Sequence, residues 1–153
     1  MSNSEIIIRL SISILLCGLI GLERKFYHKP AGFRTNILVG MGSTSLMLLT
    51  LNIFKDFNPD NYVDISRVVG QIITGIGFFG AGAIIQGRGS IHGFTTAAGI
   101  WVVAAIGIAV GLGYFSLAIF TTLGALIVLV ILGRTEYYLE HRHDEKVSNS
   151  KPE

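Results

Sequence analysis

The chain has 153 residues, half of them hydrophobic and only 14% charged, with a formal net charge of +2 and a mean hydropathy of +0.59. By length it fits one ordinary soluble domain, but the charges cluster in short segments, and the runs between them are long enough to cross a bilayer, whose core takes roughly 20 apolar residues. The small net charge lies near the ends of those runs, which argues against nucleic acid as a partner. The single cysteine, Cys17, excludes an intramolecular disulfide and a cysteine-rich metal site and reads as a buried structural thiol.

Five apolar runs follow in chain order, over residues 6–22, 36–54, 68–87, 94–112 and 114–133. The first carries Arg9. Residues 1–5 hold no basic side chain and no small-x-small cleavage site follows, so the run reads as a retained helix and not as a signal peptide. The loop after it contains Arg24, Lys25, Lys29 and Arg34; the loop before the fourth run has Arg88, and the tail has Arg134, Arg142, Lys146 and Lys151. The positive-inside rule makes these three segments cytoplasmic. Residues 55–66 hold Asp56, Asp60 and Asp64 against one lysine, and the turn at Gly111-Leu112-Gly113 is uncharged, so both face outward. The expected topology is an N-terminus outside, five transmembrane helices and a C-terminus inside. Residues 1–135 form the membrane domain and residues 136–153 a polar cytoplasmic tail.

Gly32-Phe33-Arg34-Thr35 recurs as Gly93-Phe94-Thr95-Thr96, and Gly21 and Gly82 keep the same spacing to them. The fold class predicted is therefore all-α integral membrane, with two helix-loop-helix repeats plus a fifth helix. Since helices one and three both enter the cytoplasm, the repeats are parallel and related about the membrane normal. Both units begin with an acid one turn ahead of an arginine, Glu5 with Arg9 and Asp64 with Arg67, pairs that share a helix face.

Gly75, Gly77, Gly80 and Gly82 on helix three, with Gly107 and Gly111 on helix four, are the candidates for close helix packing. A backbone-lined ion path is the other reading of helix three. It is not a phosphate loop, since no lysine follows. Ionisable residues within a membrane are functional candidates by default. Arg67 lies near the outer surface, where it reads equally as interfacial, and Gln71 and Thr74 extend a polar stripe inward from it. Glu23 ends the first run and Arg34 lies across a loop closed by Lys29-Pro30-Ala31-Gly32. Their meeting makes either an ion-pair lock with a cation or proton site, or a salt bridge that only fixes the loop. Asp64 and Glu23 are the candidate magnesium ligands. His28 and His92 have no second ligand at metal spacing and read as solvated. Trp101, near the middle of helix four, is expected to pack between helices. No catalytic triad, H-E-x-x-H motif or glycosidase-like carboxylate pair can be made out, so no enzyme is expected.

Four motifs in order carry a resemblance: Gly18-Leu19-Ile20-Gly21-Leu22-Glu23-Arg24, Pro30-Ala31-Gly32-Phe33-Arg34-Thr35, the run from Arg67 to Gly82, and Gly93-Phe94-Thr95-Thr96-Ala97-Ala98 with Trp101. The chain resembles the membrane domain of the MgtC/SapB family in its short form. The resemblance implies a polytopic bacterial inner-membrane protein linked to low magnesium, acid tolerance or virulence, with no cofactor beyond possible Mg2+. Longer family members carry a cytoplasmic domain after the last helix, which this sequence is expected to lack. Partners expected are the lipid bilayer, a second copy in a homodimer, and other membrane proteins such as the F-type ATP synthase contacted by the family's namesake. Two functions compete: a non-enzymatic regulator acting by lateral contacts, and a magnesium or proton transporter or channel using Glu23, Asp64 and the stripe from Gln71 to Thr74.

Overall fold

A computed structural model describes residues 1–57, 64–87 and 90–133. Five helices dominate: α1 (Asn3–Phe26), α2 (Phe33–Phe57), α3 (Ile65–Ala83), α4 (Phe94–Leu112) and α5 (Phe115–Ile127), which continues into a π-helical turn over Val128–Leu132. The first four are long and apolar enough to cross a membrane, and the fifth is shorter. The polar tail over 136–153, together with Asp60 and Arg88, lies outside the described residues.

Local chemistry sets the helix ends. Ser2 caps α1 by accepting from the Glu5 N–H, and Arg24 and Lys25 stand in its last turn, where cations oppose the helix dipole. Helix α4 lies between two left-handed glycines, Gly93 (φ 103°) and Gly113 (φ 87°). A Cβ on Gly93 would fall 2.0 Å from the Ala83 carbonyl oxygen. At the other end the Tyr114 N–H bonds the Ala109 carbonyl at 2.8 Å, closing the last turn.

The third helix is shorter than the sequence pattern predicts. It stops at Ala83, and Ile85–Gly87 pairs antiparallel with Ser90–His92 in a two-stranded ribbon, with Ile85 opposite His92 and Gln86 opposite Ile91. Gly80 and Gly82 weaken the helix, and β-branched Ile84 and Ile85 favour extension. Tertiary packing is not needed to end α3 there.

Helix α4 is the centre of the bundle. It packs against all four other helices, and α2 lies mainly against α1 and α4. One core cluster joins Leu16, Cys17 and Ile20 of α1 to Val103, Ile106 and Val110 of α4 and Ala118 of α5. A second joins Met47 of α2 and Ile72 and Ile76 of α3 to Ile100, Ala104 and Ile108 of α4. A helix that buries residues on both sides must be apolar all round, as α4 is. The α1–α2 hairpin and the α3–α4 hairpin thus meet through α2 and α4. Trp101 departs from its expected place: it is 49% exposed and points outward. An apolar ring on an outer face gains lipid contact, so it does not need a slot between helices.

At the crossing of α1, α2 and α4, side chains are absent where backbones touch. A Cβ on Gly107 would sit 2.4 Å from the Gly40 carbonyl oxygen, and one on Gly111 2.5 Å from Met47 Cβ. A Cβ on Gly40 would sit 2.2 Å from Cys17 Sγ. Thr44 Oγ1 donates to the Gly107 carbonyl at 2.9 Å, with Ser13 Oγ at 3.0 Å. Cys17 is a free, fully buried thiol, as expected. This seam satisfies the buried polar groups of three helices where no water is available to do so.

Candidate functional site

The polar residues singled out in the sequence separate into the two ends of the bundle and one helix face. At the end where α1 joins α2, Glu23 and Arg24 are 7% and 4% exposed. Arg24 holds Glu23 in a forked pair, Nη2 donating to Oε1 at 2.7 Å and Nε to Oε2. The end of α1 closes here, the Tyr27 N–H bonding the Glu23 carbonyl and the Lys29 N–H the Arg24 carbonyl. Arg24 Nη1 is buried with no hydrogen-bond partner. This corrects the expected pairing of Glu23 with Arg34, which is exposed on the first turn of α2. Asn36, a residue the sequence reading passed over, fastens the same loop by donating to the Ala31 and Gly32 carbonyls at 2.7 and 2.8 Å. Its place one residue after the Gly-Phe-x-Thr motif, where the second repeat has Ala97, was the available signal.

At the opposite end the expected pair of Arg9 with Glu5 is formed. Arg9 Nη1 also donates to the Gly111 carbonyl, 102 residues away, at 2.6 Å. A guanidinium on the last carbonyls of α4 satisfies a helix end that would otherwise be bare. Asp64 is exposed and caps α3, accepting from the Ser66 N–H at 3.0 Å and from its hydroxyl. That hydroxyl holds the Asp64 carboxyl below the usual carboxylate range, with smaller help from the Arg67 charge. Asp64 and Glu23 lie at opposite ends of the bundle, so they cannot ligate one ion together. Among the described residues no group of three or more His, Cys, Asp or Glu side chains could hold a metal.

Helix α3 carries the third set. Its buried face is Ile72, Ile76 and Gly80. At about 3.6 residues per turn the opposite face presents Arg67, Gly70, Gln71, Thr74 and Phe78, all exposed. Thr74 satisfies itself by donating to the Gly70 carbonyl at 2.8 Å, whereas among the described residues Gln71 has no hydrogen-bond partner. Between α3 and α2 runs an open groove of about 670 Å³ lined by Thr35, Ser43, Gln71, Ile72, Gly75 and Phe79. Gly75, Gly77 and Gly82 have nothing within 4 Å of a would-be Cβ, and Gly80 has only Ala97, at 3.7 Å. The close packing expected of Gly107 and Gly111 is met inside the chain; that expected of Gly75, Gly77 and Gly82 is not.

Residues 10–138 match the MgtC family. The chain is 41% identical over 143 residues to "Putative magnesium transporter YhiD" of Escherichia coli (strain K12), covering 92% of this chain and 66% of that protein. It is 39% identical over 120 residues to "Protein MgtC" of Brucella abortus (strain 2308), covering 78% of this chain and 48% of that protein. With "Protein SapB" of Bacillus subtilis (strain 168) the identity is 37% over 134 residues, 85% of this chain and 57% of that one. The chain therefore spans about half to two-thirds of the length of these relatives. No solved structure matches it.

Proposed function

Since the chain belongs to the MgtC family, we propose that this multi-pass membrane protein is a non-enzymatic component of the bacterial inner membrane that supports growth under magnesium limitation through lateral contacts with other membrane proteins. The outward face of α3 carries the reading. On the other helices the large exposed side chains are apolar, with Ile7, Leu15 and Leu19 on α1, Leu38 and Leu49 on α2, and Leu117, Phe120 and Leu123 on α5. Among the described residues α3 turns outward Gln71, which has no hydrogen-bond partner there, together with Gly75, Gly77 and Gly82, below Arg67 at its first turn. Hydrocarbon cannot hydrogen-bond a carboxamide, so a protein surface is the favourable neighbour for such a face.

The test is growth in low magnesium alongside membrane yield. Gln71→Leu is expected to impair growth severalfold without lowering yield, because it removes a polar group from an exposed position and leaves the folded core untouched. Wild-type growth of that variant, or yield falling in step with growth, would remove the support. A second reading is favoured by the α2–α3 groove: a cation passing along Thr35, Ser43 and Gln71, in keeping with the name of the Escherichia coli relative. Purified protein in vesicles loaded with a magnesium-sensitive dye distinguishes the two. Flux above empty vesicles that Gln71→Leu abolishes would establish transport in place of contact.

The orientation belongs to the same proposal. In a Cys17→Ser background, Asp60→Cys is expected to react with an impermeant thiol reagent on intact cells, and His28→Cys only after permeabilisation. The opposite pattern would invert the topology.

A further inference from the structure

We propose that the outward face of α3 is the interface of a homodimer whose two-fold axis lies along the membrane normal, with the α3 helices of the two copies side by side and parallel. The inference rests on the reading of α3 as a protein-facing helix and names its partner as a second copy of this chain.

Three features of the face make it complementary to itself. The first is charge. Asp64 and Arg67 are both exposed at the outer end, and Ser66 donates to one of the two Asp64 carboxylate oxygens. Across a two-fold axis each Arg67 faces the partner's Asp64, giving two reciprocal ion pairs near the headgroups. The second is hydrogen bonding. Gln71 lies six residues into α3, about 9 Å below its start, and has no hydrogen-bond partner among the described residues. Parallel symmetry brings equivalent residues to the same depth, and a carboxamide is both donor and acceptor, so two copies of Gln71 satisfy each other. The third is shape. Phe78, 81% exposed, is the one large side chain in the middle of the face. It is flanked by Thr74, Gly75, Ala81 and Gly82, with open space above both glycines. In a parallel pair a side chain at one level enters the hole left by residues three and four positions away on the neighbour, so each Phe78 meets the small residues of the other copy.

A different protein would not be required to repeat all three features at matching depths. All chains insert with one topology, so a second copy presents them in the right order without further selection. The apolar faces of α1, α2 and α5 offer no comparable specificity, since lipid serves them as well.

The experiment uses the full chain in a Cys17→Ser background. Thr74→Cys, Leu49→Cys and Leu123→Cys place single thiols on α3, α2 and α5. In membranes under mild oxidation, disulfide-linked dimer is expected from Thr74→Cys and not from the other two. Two fluorescent labels on separate copies in vesicles should show energy transfer that falls on dilution with lipid, and Gln71→Leu should raise the apparent dissociation constant about three- to tenfold, the loss of one interhelical hydrogen-bonded pair. Cross-linking through Leu49→Cys or Leu123→Cys instead, or energy transfer no greater than random mixing at every lipid ratio, would overturn the proposal. Should the vesicles hold only monomers while Gln71→Leu still abolishes growth in low magnesium, self-pairing fails and α3 remains a contact face for another protein. Normal growth of that variant together with a weakened dimer would sink the functional reading and leave the dimer standing.

Discussion

Glu23→Gln is expected to destabilise the bundle by about 3–5 kcal/mol, the range for removing one partner of a buried ion pair. Arg24 is almost wholly buried, its Nη1 already lacks a partner, and Glu23 supplies both of its remaining hydrogen bonds. Neutralising the carboxylate leaves a guanidinium with no counter-charge in a place water does not reach. The measurement is thermal unfolding of the purified protein in mild detergent, with Arg34→Gln as the comparison. Arg34 is exposed, so its replacement should alter stability by no more than about 0.5 kcal/mol. The double variant Glu23→Gln with Arg24→Met should recover most of the loss, since an apolar side chain of similar length removes the stranded charge along with the pair. Equal effects of Glu23→Gln and Arg34→Gln would restore the pairing across the loop and displace the one described here.

Gly107→Ala is expected to be nearly as damaging as a much larger substitution elsewhere. The added methyl would lie 2.4 Å from the Gly40 carbonyl oxygen and 2.8 Å from Ser43 Cβ, both on α2. Neither obstacle is the tip of a flexible side chain, so α2 and α4 must move apart. That separation stretches the Thr44 hydrogen bond to Gly107, and overpacking of this kind costs about 1–3 kcal/mol before the hydrogen bond is counted. Gly40→Ala meets Cys17 Sγ in the same seam, and Cys17→Ala should relieve that clash in part while doing nothing for Gly107→Ala. Gly124→Ala on α5, with nothing within 4 Å, is the control and should be neutral or slightly stabilising. Melting temperatures in detergent report all four. A Gly107→Ala protein as stable as Gly124→Ala would mean that the helices do not cross at these glycines.

The sequence by itself determined the class of this protein and the bounds of its best-defined helix. Apolar length and charge placement are local properties, which is why the helical runs and the family motifs were legible from composition and spacing. Helix α4 matched its predicted limits at both ends because Gly93 and Gly113 take left-handed conformations that end a helix wherever the rest of the chain lies. The early stop of α3 was written in the same local terms, in Gly82, Ile84 and Ile85, but there hydropathy obscured the backbone signal.

Only the tertiary structure decided which polar groups meet and which glycines are packed. Glu23 chose its neighbour Arg24, although adjacent residues on a helix normally point about 100° apart; the long arginine side chain bridges that gap. Arg9 found Gly111 across 102 residues, a contact no spacing rule contains. Gly107 and Gly82 are the same letter in similar apolar settings, yet one carries the backbone of α2 against it and the other faces open space. Glycine permits close approach without specifying a partner, and a side chain's partner depends on how each helix is rotated about its own axis when it packs. That rotation is fixed by the sum of contacts along α4, which no single stretch of the chain encodes.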